Sequence, residues 1–117
     1  MLPFSVAVLR RRYPAATAGT DGRPVHGTPT VETIYASVQP APGRQLEHLP
    51  EGLRSRVVMV AFTDAELRTA DQATGLPADE LVYQGVVYLV ERVARWTEVI
   101  PHYEAHLSLR AESGGTP

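Results

Sequence analysis

Alternation with a period of two runs through most of the chain. Between residues 31 and 39, Ile34, Ala36 and Val38 fall on one side and Thr33, Tyr35 and Ser37 on the other, the pleat pattern of a half-buried strand. Residues 56–62 are almost continuously apolar, Val57-Val58-Met59-Val60-Ala61-Phe62, as in a strand covered on both faces or a barrel stave. Leu81-Val82-Tyr83 and the run from Val86 to Trp96 flank Gln84-Gly85. Glycine accepts the positive φ of a tight turn, so this stretch predicts a hairpin. Tyr103, Ala105, Leu107 and Leu109 alternate with Glu104, His106, Ser108 and Arg110, which predicts a last strand with one face inward and one in solvent. Pro101 separates it from the strand before, and Phe4, Val6 and Val8 predict a first strand by the same rule.

The pattern fails in three places. Residues 14–29 crowd Gly19, Asp21-Gly22, Pro24, Gly27 and Pro29 into a long loop. Residues 40–52 hold Pro40, Pro42-Gly43, Pro50 and Gly52, with Leu46 and Leu49 spaced for one helical turn. Residues 112–117 read as a flexible tail. The one helix candidate is Asp64 to Gln72, with Thr63 or Asp64 as N-cap, Glu66 reaching back, Leu67 and Ala70 as an apolar stripe, and Gly75 and Pro77 beyond its end. Short strands, long loops and scarce helix predict a mainly all-β fold, a small antiparallel β-barrel or sandwich with one short helix. The expected division is an N-terminal strand or arm with its long loop over 1–30, a β-barrel core domain over 31–111, and the tail.

Composition narrows the chemistry. A chain of 117 residues fits one domain and excludes a large multi-domain enzyme. Eleven basic residues against 13 acidic ones give a net charge of -2, so no global field draws the chain to nucleic acid or anionic lipid. Every basic residue is arginine, which removes Schiff-base and P-loop lysine mechanisms, and the lack of cysteine removes disulfides, thiolate metal sites and cysteine nucleophiles. In the N-terminal apolar run the charges Arg10, Arg11 and Arg12 follow instead of preceding, which argues against a cleaved signal peptide. Nothing approaches the roughly 20 apolar residues of a membrane span, and the chain reads as soluble.

Searches for a site by residue type return little. His102 and His106 have a helical metal spacing, but on a strand they stand roughly 13 Å apart, and a solvated face is the expected setting for them. The serines lie in no G-x-S-x-G elbow. Asp79 and Glu80 are adjacent, so on a strand they point to opposite faces, and Asp79 reads as a turn or capping residue. The glycines of 19–27 lack both phosphate-loop spacing and a lysine. Neither catalytic residue, metal ligand nor cofactor is therefore assigned. Arg10, Arg11, Arg12 and Trp96 are the candidate interface residues, because guanidinium and indole groups concentrate at contact centres. Tyr35, Tyr83 and Tyr88 are expected in the core or at the barrel rim.

The segments "IYASVQPAPGRQLEHLPEG", "VVMVAFTDAEL" and "ADELVYQGVVYLVERVARW", in this order, resemble the head-completion proteins of long-tailed bacteriophages, the head-closure or stopper proteins of the neck. The matched features are the strand ending Ser37-Val38-Gln39-Pro40, the loop closing Leu49-Pro50-Glu51-Gly52, the strand leading to Thr63, and the hairpin around Gly85. The resemblance spans Val31 to about Arg110. It implies a non-enzymatic virion protein of a siphovirus, a head-tail connector subunit assembled in the host cytoplasm. Its partners are then its own copies in a ring, hexameric before dodecameric, a portal adaptor above, and a tail terminator or tail tube below. Packaged DNA passes through the channel without sequence-specific binding, and no membrane is involved. In such proteins a loop can close the channel. The candidates are Asp21, Gly22 and Arg23 in the first loop and Gly43, Arg44, Gln45 and Leu46 in the second. The alternatives are a tail-completion or tail-terminator protein of the same virion, or an SH3-like module binding peptide at Tyr83, Tyr88 and Trp96.

Overall fold

The computed structural model describes residues 5–25, 27–43, 47 and 49–110. Six strands close a barrel: β1 (Val6–Arg12), β4 (Thr30–Pro40), β5 (Val57–Thr63), β6 (Glu80–Tyr83), β7 (Val86–Trp96) and β8 (His102–Leu109). The order around the wall is β1-β4-β5-β8-β7-β6, with β6 paired back to β1 through Leu9–Val82 and Arg11–Glu80, and every pairing is antiparallel. A two-stranded ribbon, β2 (Thr17–Ala18) and β3 (Pro24–Val25), stands within the first long loop. Each of the six strands has a ladder partner on both sides for part of its length, while 30–35 of β4 pair only with β1 and 91–96 of β7 only with β8.

The core follows the alternation. Val8, Ile34, Ala36, Ala61, Leu81, Tyr88, Val90, Ala105 and Leu107 point inward and form one buried cluster with Leu67. The expected hairpin is present: Gln84 and Gly85 both take positive φ, 51° and 77°, the geometry of a two-residue turn matched to strand twist. Bulges at Val57/Met59 and Val90/Arg92 shift the register of β5 and β7 against β8. The apolar run of β5 is covered in part: Ala61 faces inward and Val57 and Val60 are buried on the outer side, while Val58 is exposed. In the connection after β4, Leu49 is buried, and the Ala41 N–H donates to the Val58 carbonyl at 3.1 Å.

Several expectations are corrected. The short helix is α1 (Glu51–Arg54), and 64–72 is not helical. Thr63 does bond the chain ahead of it, accepting from Ala65 N–H at 3.1 Å, but its hydroxyl also donates to the Tyr35 carbonyl, which ties it to the barrel wall. The backbone of Arg68 then pairs with Asp79 in both directions, and Asp71 bridges to Leu76, so backbone groups that a helix needs are spent across the loop. Leu67 alone is buried, too thin a stripe to hold a helix. The boundary expected at residue 30 also falls inside the barrel, since β1 is one of its staves. Finally, the outer side of β8 is not all solvated: His106 and Ser108 are buried opposite Val60 and Val57. Phe4, Arg44, Gln45, Leu46 and the tail lie outside the described residues.

Candidate functional site

Arg10, Arg11 and Arg12, expected at an interface, are engaged within the chain. Arg12 forks onto the fully buried Asp79, donating from Nε at 3.0 Å to Oδ1 and from Nη2 at 2.7 Å to Oδ2, and Asp79 Oδ2 accepts a further bond from Arg68 N–H at 2.8 Å. That hydrogen bond and the Asp79 charge hold the Arg12 pKa above its ordinary value against the cost of burial. Arg10 pairs with Glu32 at 3.0 Å, and both Arg10 and Arg12 donate to the Glu66 carbonyl. Glu80, pointing the other way from Asp79, is held by Arg11 at 3.2 Å, Arg110 at 3.0 Å and the Tyr13 hydroxyl at 3.1 Å. Two adjacent carboxylates thus sit on opposite faces, each neutralised by arginine. Asp79 ties the 64–79 loop to β1, and Glu80 ties β6 to Arg11 of β1 and to Arg110.

His106 lies on the outer side of β8 with its Nε2 at 3.9 Å from Glu104 and its Nδ1 buried without a hydrogen-bond partner. Burial lowers its pKa, Glu104 opposes that shift, and Arg92, its cross-strand partner, adds to it. His102 donates from Nδ1 to the Ile100 carbonyl at 2.7 Å, the carbonyl being able only to accept. Among the described residues no cluster of three or more His, Asp or Glu is arranged to hold a metal ion. A shallow open depression of about 590 Å³ is lined by Leu67–Gln72 and Leu76, a single loop bringing no nucleophile and base together.

What the surface does present is apolar. The β7–β8 hairpin ends in Trp96, Val99 and Ile100, which are 51%, 99% and 54% exposed. Val99 has φ 63°, a left-handed conformation that a β-branched side chain rarely adopts. His102 stacks on Trp96 with ring planes 9° apart and meets Phe62 of β5 in a tilted contact at 54°, both centroids at 6.2 Å, so the base of the hairpin is braced against the wall. Arg95 lies over the Tyr103 ring at 6.0 Å. Trp96, singled out from the sequence, belongs to this tip, while Val99 and Ile100 had no signal: a lone apolar pair beside a proline reads as the end of a strand.

A second apolar surface lies on the wall of β1 and β4. Their outward residues Ala7, Leu9, Val31, Thr33 and Tyr35 are all exposed, and Arg11, across from Val31 on the same face, is paired with Glu80. Tyr35 is thus a surface residue and not core, whereas Tyr88 is buried and Tyr83 packs on the core. Of the loop candidates, Asp21 and Arg23 are exposed beside the β2–β3 ribbon and Gly22 takes φ 80° at its turn, while Gly43 opens the 43–49 stretch and accepts from Glu47 N–H at 3.1 Å. The structure does not bring these two loops to one site by any bond among the described residues. No protein-family model matches the chain, and no curated protein matches it.

Proposed function

We propose that this chain is a subunit of the head-closure ring in the neck of a long-tailed bacteriophage, with a portal adaptor on one side and a tail terminator or tail tube on the other. The observation that carries the reading is a small closed barrel that exposes apolar residues at the β7–β8 tip and on the β1–β4 wall, while its buried acids Asp79 and Glu80 are tied to arginines. Such a molecule is built to be packed against protein on several sides. The ribbon-bearing loop of 13–29 and the 41–56 connection supply the long segments that channel closure requires. The resemblance of the motifs from Val31 to about Arg110 to neck proteins is the ground for choosing this family, and a small β-barrel is compatible with it.

The test is electron microscopy of particles carrying the chain, with an antibody or a density-bearing tag on the protein. Ring density of this chain between portal and tail is the expected result. Density at the tail end of the neck instead would make it the tail-completion protein, and absence from particles would discard the virion reading altogether.

A further inference from the structure

We draw no further inference here: the strongest candidate, the exposed apolar tip of the β7–β8 hairpin at Trp96, Val99 and Ile100, carries nothing because nothing in the structure shows what covers it.

Discussion

At the scale of single residues, backbone conformation and burial set what can be changed. Gly85 sits at φ 77° in the hairpin turn with open space around a Cβ, so the obstacle to a side chain there is conformational and not steric. Gly85→Val should cost about 1–2 kcal/mol and lower the melting temperature by roughly 5–10 °C; an unchanged melting temperature would refute the turn geometry. His106 makes a pH prediction. Its folded pKa lies below the unfolded value near 6.5, so between the two the unfolded chain binds more protons and acidification destabilises the fold. Stability should therefore fall as pH drops below about 6.5 and level off below the folded pKa, with a slope no steeper than about 1.4 kcal/mol per pH unit. Urea unfolding from pH 8 to 4 measures this, and His106→Gln should lose that part of the slope. The glycine was legible because a turn needs it at a fixed place between two strands. The histidine was misplaced because alternation says which face a residue takes and not what lies over that face.

At the scale of elements, the strands were legible and the connections were not. Period two in 31–39 and 103–110 marks β4 and β8 within a residue or two, and the unbroken apolar run marks β5 as a strand with buried residues on both faces. The 64–79 segment shows why local signals fail in a loop: its caps and spacing suit a helix, yet Asp79 draws Arg68 into a long-range pairing and Arg12 fixes Asp79 in turn. That anchor yields a prediction. Asp79→Asn leaves Arg12, only 17% exposed, without its charged partner, and should cost about 3 kcal/mol in urea unfolding. A loss below 0.5 kcal/mol would mean that the 64–79 loop is held by Leu67 instead.

At the scale of the whole molecule, closure of the barrel separates what is essential to folding from what is free for assembly. Among the described residues, the loop between β1 and β4 contributes none to the buried cluster, so replacing 15–28 with a short linker should leave the barrel folded. By the ring reading the same change should abolish particle assembly; full infectivity of the variant would count against that reading. Trimming 42–50 is different, since it removes the buried Leu49 and should lower stability as well. Composition and alternation by themselves determined a mainly β domain, its inward residues and its hairpin turn, because those follow from side-chain chemistry and a period of two along a strand. Only the tertiary structure decided that the three N-terminal arginines are paired with Glu32, Glu80 and Asp79, that His106 is covered, and that apolar residues stand exposed at the β7–β8 tip and on the β1–β4 wall. Each of these depends on which strands become neighbours when the barrel closes, and pairing partners tens of residues apart leave no mark in the local pattern.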